Sequence, residues 1–350
     1  MGGVTQYFKS LRRHWKHDVE YFTVGSREEN EGAGKIALRM LRDTRSFVRE
    51  IRRGGFDLVH LNPSLGLRAA LRDAVLLLAA KAMGKRVLVF VHGWEEGFEN
   101  RLLRSRGLAG VVLSRADGIV VLGSKFVPRL RGLGYRKKIF VQAAPIDEEL
   151  LDDARGATVR VGGDAKFTIL FLARIEREKG IYEALEAYRI LKGRYPFVRM
   201  IVAGDGPELE SARGACDVEG VTFAGHVRGE TKYGVFRRAD AYLFPSYHEG
   251  LPISVLEAMA YGLPVVASRV GGLPDFFLDG RMGFMTDSRD PERYAELMER
   301  LIADRGLAGE IGAFNRQYAN EHFSGSRIAA GLEDIYRTIL KDSDRAVLPA

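Results

Sequence analysis

Twice along its 350 residues this chain repeats one pattern: short, near-continuous apolar runs separated by longer segments of helical periodicity. Few folds accept it. In the first series the runs are Val19–Val24, Asp57–Leu61, Arg86–His92, Gly118–Leu122 and Lys138–Gln142. In the second they are Phe167–Ala173, Arg199–Ala203, Val221–Ala224, Ala241–Phe244, Pro264–Ala267 and a short piece near Gly283–Met285. A run such as Val265-Val266-Ala267 does not alternate apolar with polar, so it reads as a strand buried on both faces, within a parallel sheet covered by helices. Two series predict an α/β protein of two Rossmann-like domains. The polar, Gly-containing join Asp147–Lys166 places one domain at 1–147, a linker at 148–166 and a second domain at 167–325.

In open parallel sheets ligands sit beyond the carboxyl ends of the strands, so the strand exits are where chemistry is sought. Phe167–Ala173 is followed by Arg174-Ile175-Glu176-Arg177-Glu178-Lys179-Gly180, with an Arg and a Lys five apart before a helix. Arg199–Ala203 runs into Gly204-Asp205-Gly206-Pro207, and Pro264–Ala267 into Ser268-Arg269-Val270-Gly271-Gly272, whose glycines let backbone approach a ligand. After Ala241–Phe244 comes a segment with two carboxylates, Glu249 and Glu257. There Gly250-Leu251-Pro252 reads as a turn opening a helix at Pro252, with Val255, Leu256, Met259 and Ala260 as its buried stripe and Gly262 as its stop. Glu257 then stands roughly 7–8 Å along the helix from its start, an offset suited to an anion on the helix N-terminus and a ribose diol farther along. Two glutamates alone fit a solvated pair better. A cationic pair, helix N-termini and glycines at neighbouring exits together describe a diphosphate site.

Composition removes several alternatives. The single cysteine, Cys216, excludes an intramolecular disulfide and suits a reducing compartment, hence a cytoplasmic location. The longest plain apolar run, Ala74 to Ala80, is far shorter than the ~20 residues a spanning helix needs. Net charge is +7, but residues 1–147 carry 27 Lys and Arg against 14 Asp and Glu, or +13, leaving −6 for residues 148–350. The densest part, Leu38 to Gly55, keeps Met40, Leu41, Phe47, Val48 and Ile51 apolar amid arginines and reads as a basic amphipathic helix. It is either a helix packed on its own domain or a surface for an anionic membrane. No motif accompanies the charge that points to nucleic acid. Gly204-x-Gly206 lacks the third glycine of a dinucleotide fingerprint, and the Asp-x-Asp at Asp342-Ser343-Asp344 lies in the tail, so neither a nicotinamide enzyme nor a metal-dependent transferase is indicated.

Arg174…Lys179-Gly180, Gly204-Asp205-Gly206-Pro207, Phe244-Pro245-Ser246, Glu249-Gly250-Leu251-Pro252…Glu257-Ala258-Met259-Ala260 and Gly262-x-Pro264-Val265-Val266-Ala267, in that order, resemble retaining glycosyltransferases of family 4. The likeness covers Phe167 to about Ala303 closely; the first half resembles the family more loosely, through Gly2-Gly3-Val4, Asp57-Leu58-Val59-His60 and Val91-His92-Gly93. It implies a GT-B fold, two Rossmann-like domains facing across a cleft, with a C-terminal helix in 326–350 packing back on the first domain. It also implies sugar transfer from a nucleotide-diphosphate-sugar to a hydroxyl of a glycan or lipid-linked glycan, with retention and no metal or cofactor, in cell-envelope polysaccharide synthesis. Arg174 and Lys179 would neutralise the leaving diphosphate, Glu257 would hold the ribose, and Glu249 would lie by donor sugar and diphosphate. Gly2, Gly3, Gly204, Gly250, Leu251 and Pro252 would line the donor, and His92 would face the donor sugar. The alternative is a non-catalytic glycosyltransferase-like subunit.

Three positions depart from the family: Ala173 replaces a glycine, Ala143-Ala144-Pro145 replaces an Asn-Gly, and Asp275 replaces a glutamate. Family members also place a strand before the Gly-Gly turn, whereas this sequence starts at Met1-Gly2-Gly3. A gene encoding about 8–15 further residues upstream, with one apolar strand, is therefore expected.

Overall fold

A computed structural model describes residues 3–24, 33–63, 67–93, 106–157 and 166–341, and divides into two compact units, Met1–Ala143 with Ala329–Ala350, and Ala144–Ile328. The division falls at Ala143/Ala144 rather than at 147, and the chain re-enters the first unit within a helix, Gly325–Lys341.

The first unit carries a parallel sheet in the order β1 (Leu58–Leu61), β2 (Arg86–Val91), β3 (Gly118–Val121) and β4 (Lys138–Val141). Inner strands β2 and β3 are buried almost throughout, whereas the outer β1 and β4 are more exposed, as their sequences LVHL and KIFV require. Helices α1 (Gly3–Leu11), α2 (Ala33–Gly54), α3 (Leu67–Ala82), α4 (Arg106–Ser114) and α5 (Val127–Gly132) belong to this unit. Leu76, Leu77 and Ala80 of α3 join Val87, Val89, Ile119 and Val121 in the core.

In the second unit the sheet order is β10-β9-β8-β5-β6-β7, all parallel, with β5 (Phe167–Leu172), β6 (Val198–Ala203), β7 (Val221–Gly225), β8 (Ala241–Phe244), β9 (Val265–Ser268) and β10 (Gly283–Thr286). From β5 the chain winds outward one way and from β8 the other, so the sheet has its switch point between β5 and β8. Its helices are α6 (Glu148–Gly156), α7 (Ile181–Arg194), α8 (Leu209–Ala215), α9 (Glu230–Arg238), α10 (Ile253–Ala260), α11 (Pro291–Ala303) and α12 (Arg305–His322); α13 (Gly325–Lys341) runs on into the first unit.

Four expectations are corrected. Val19–Val24 forms no strand: no described strand pairs with it, and its aromatic side chains are spent on local contacts, Tyr21 with Trp15 Nε1 at 2.6 Å and Phe22 against Phe47. Residues 148–156 are not linker but α6, capped by the Asp147 carboxylate on Glu149 N–H, with Leu150, Leu151 and Ala154 buried. Residues 158–165 lie outside the description. The basic helix begins at Ala33, and Leu41, assigned to its apolar face, is 57% exposed because the inward stripe runs through Phe47 and Ile51. Pro252 is the extended N-cap residue of α10 rather than its first helical residue.

Candidate functional site

The switch point of the second sheet gathers four strand exits. Beyond β5 the chain makes a 3-10 turn over Arg177–Lys179 and enters α7 through Gly180 at φ 76°, where a Cβ would lie 2.1 Å from the Pro245 carbonyl oxygen. Glycine thus lets this loop lie directly on the loop leaving β8. The two are laced by Tyr247 N–H donating to the Glu178 carbonyl at 2.8 Å. Gly204, at φ 141°, brings the β6 exit equally close to the Ala173 carbonyl, with Ile175 N–H donating to Asp205 O at 3.0 Å. Gly271, at φ 61°, admits the β9 exit beside Gly250, whose carbonyl accepts from Gly272 N–H at 2.7 Å.

On this frame Lys179 Nζ donates to Glu249 Oε1 at 2.7 Å, and Ser246 Oγ donates to the same oxygen at 3.0 Å. Both members of the pair are shielded, whereas Arg174 is 73% exposed and held near the site by Glu176. Leu251 and Pro252 are buried, and α10 starts with no side-chain cap on its first N–H groups. An uncapped helix start of this kind stabilises an anion.

Glu257 lies one turn inside α10. The helix buries Val255 to Ala260 without a break, so the carboxylate sits among apolar neighbours and burial pushes its pKa up. Lys232 of α9 opposes that shift, its Nζ donating to Glu257 Oε1 at 2.6 Å. Tyr242 OH, donating to Leu172 O at 2.8 Å and bonded to Ser254 Oγ at 2.7 Å, fixes α10 to the ends of β5 and β8. Sequence reading assigned no role to Lys232, Ser246 or Tyr242. Lys232 gives no local signal, since it stands 25 residues before its partner on a different helix.

His92 belongs to the first unit, at the end of β2. Its ring stacks on Phe90 at 4.0 Å, lies under Tyr7 and Phe8 of α1, and bonds through Nε2 to Asn62 Oδ1 at 2.8 Å. With that oxygen accepting, Nε2 carries the proton and Nδ1 is the acceptor. A second histidine, His60, completes the cluster through Nδ1 and Tyr336 OH at 2.7 Å. Burial depresses both rings to about 3, with His92 adding to the effect on His60, so both are neutral near pH 7. His60, Asn62 and Tyr336 carried no assigned role in the sequence, because 276 residues separate His60 from Tyr336.

Gly3 opens α1 and makes no separate glycine turn, while Gly2 lies outside the described residues, as does Asp342-Ser343-Asp344. Among the described residues no group of three or more His, Cys, Asp or Glu side chains is placed to hold a metal.

Glycines, a shielded Lys–Glu pair and an uncapped helix end at the switch point of a doubly wound parallel sheet define an α/β class whose strand exits suit an anionic ligand. Two family models, each covering just under half of the chain, place it further: Glycosyl transferases group 1 over residues 161–318 and Glycosyltransferase Family 4 over residues 1–150. The chain belongs to this glycosyltransferase family. Among its relatives, a D-inositol 3-phosphate glycosyltransferase of Arthrobacter sp. (strain FB24) is 36% identical over 47% of this chain and 41% of that protein. The capsular polysaccharide biosynthesis glycosyltransferase CapM of Staphylococcus aureus is 29% identical over 51% of this chain and 48% of that one. The matches therefore span less than half the length of these relatives. Anabaena Alr3699/HepE in complex with UDP-glucose superposes with a TM-score of 0.70 at 19% identity, covering 88% of this chain and 84% of that one, and the fold is GT-B.

Proposed function

We propose that this protein transfers a sugar from a nucleotide-diphosphate-sugar to a hydroxyl acceptor, with retention of anomeric configuration and without a metal. The observation that carries the reading is the pairing of Lys179 with Glu249 beside the uncapped start of α10, with Glu257 held by Lys232 within the same helix. A diphosphate arriving at α10 exchanges Lys179 from Glu249 to its own oxygens, and exposed Arg174 swings from Glu176 to join it. Glu249, released, accepts from the donor sugar. Glu257, whose charged form Lys232 favours against the effect of burial, accepts from the ribose diol. Neutral His92 offers Nδ1 to a sugar hydroxyl and holds its orientation through Asn62. Gly204 serves the donor by letting its loop lie close to the β5 exit, and Gly250 by lying directly beside Gly271.

As the bond from the anomeric carbon to the diphosphate breaks, the acceptor oxygen bonds to the same face and its proton passes to a leaving phosphate oxygen. No side-chain nucleophile is needed, and Lys179, Arg174 and the helix end stabilise the charge that develops. HepE has been seen with UDP-glucose, and the name of CapM places it in capsular polysaccharide biosynthesis. Those likenesses support a nucleoside-diphosphate donor and a glycan acceptor of the cell envelope; a lipid-linked acceptor met at the cytoplasmic face of a membrane is part of the same proposal. The test is donor turnover by the purified chain across UDP-, GDP- and ADP-sugars, with product anomer read by NMR and EDTA present. One donor should turn over, with its anomer preserved and EDTA without effect. Absence of turnover with every donor would leave the non-catalytic subunit, and a requirement for Mn²⁺ or Mg²⁺ would overturn the metal-free part.

A further inference from the structure

Helix α3 is apolar on two sides. Leu76, Leu77 and Ala80 fill the core of the first unit, yet Leu71, Val75 and Leu78, spaced i, i+4, i+7 on the opposite side, are 54%, 42% and 45% exposed. A helix lying on a sheet in water ordinarily carries charged residues on that outer stripe. The helices beside it share the anomaly: α2 packs against α3 and exposes Leu38 and Leu41, and α4, also in contact with α3, exposes Val111. Outward arginines accompany them on α2, where Arg45, Arg49 and Arg52 are exposed while Phe47 and Ile51 turn inward.

We infer that α2 and α3 together form a docking surface for an anionic lipid bilayer, the leucines and valine entering the headgroup boundary and the arginines meeting lipid phosphates. Exposed leucines with flanking arginines are what an interfacial element needs: apolar side chains supply insertion, and cations supply attraction and selectivity for anionic lipid. Charge also argues against a second copy of this chain as the occupant, because a symmetric contact through this face would bring the two sets of α2 arginines together. The surface deepens the membrane part of the proposed function but needs no turnover to be observed, so either reading can fail alone.

The experiment is flotation of the full chain with vesicles of phosphatidylcholine alone and of phosphatidylcholine mixed with phosphatidylglycerol. Binding should appear with the mixed vesicles, weaken as salt is raised and be absent with the neutral ones. The Arg45→Gln/Arg49→Gln variant should bind about 25-fold more weakly, roughly fivefold per arginine. Leu71→Ser/Leu78→Ser should bind about tenfold more weakly or worse. Both variants change outward side chains, and melting curves matching the wild type check that each is folded. Equal binding to both vesicle types, no binding to either, or wild-type binding by the leucine variant would overturn the inference. So would a concentration-dependent dimer in sedimentation that the leucine variant abolishes, since a second copy would then cover the face.

Discussion

Residues 115–117 and 238–240 both read Arg-Ala-Asp, and the structure uses them identically in its two sheets. Asp117 precedes β3, donates its N–H to Val87 O at 2.7 Å and accepts from Val87 N–H at 2.8 Å. Asp240 precedes β8, donates to Thr168 O at 2.8 Å and accepts from Thr168 N–H at 2.7 Å. Each aspartate fastens the entrance of its strand to the neighbouring strand, and Ala116 and Ala239 are both buried. The sheets are thus founded alike at their amino ends and differ at their carboxyl ends. There the first unit buries two neutral histidines under aromatic rings, whereas the second buries a carboxylate against a lysine. One frame tolerates opposite proton chemistry because frame and chemistry occupy opposite ends of the strands.

The sharpest way to break that comparison is acid. A histidine held at about 3 in the fold binds fewer protons than the unfolded chain below 6.5. Its stabilising contribution is therefore complete above 6.5 and shrinks as pH falls towards 3. At pH 5 the loss is about 2 kcal/mol for each of His60 and His92. Glu257 has the opposite sign: its raised pKa makes the folded state bind more protons above the ordinary carboxylate range, so lowering pH through that window favours the fold. Both tryptophans of the sequence, Trp15 and Trp94, fall within residues 1–143, so their emission reports the first unit. Between pH 7 and pH 5 the urea midpoint followed by tryptophan emission should fall below that followed by far-UV circular dichroism. Parallel shifts of the two midpoints would show that the units do not differ in this way.

Removing Lys179 tests the second unit alone. Lys179→Ala leaves Glu249 without its cation and, on the proposed function, a diphosphate without a shielded partner, so turnover should drop ~10²-fold or more while the tryptophan-monitored midpoint stays put. Turnover at the wild-type rate would remove Lys179 from the site.

A smaller effect is expected at Lys232. Without this cation the pKa of Glu257, already pushed up by burial, climbs further, and the protonated acid grips a ribose less well. Lys232→Met should raise the donor KM about tenfold near neutrality, roughly the loss of one charge-assisted hydrogen bond, and the KM should recover as pH rises. In the wild type, where Lys232 opposes the effect of burial, it should depend less on pH over the same range. A variant KM that is unchanged and independent of pH would make Lys232 structural only.

The sequence by itself determined the α/β class, most strands of both sheets and the grouping of the second unit's candidate residues, because these stand in short loops that leave neighbouring strands. Arg174 and Lys179 follow β5, Gly204 follows β6, and Glu249 and Glu257 follow β8, so parallel pairing of β5 with β6 and β8 brings their exits together with no further information. Only the tertiary structure decided what each group faces. Lys232 reaches Glu257 from another helix, His60 meets Tyr336 across most of the chain, and the outer stripe of α3 looks like ordinary core sequence until its inward side is known. Val19–Val24 shows the same limit in reverse, since an apolar run becomes a strand only when another strand takes up its hydrogen bonds. Periodicity records which residues avoid water, and backbone pairing and packing decide against which neighbour they do so.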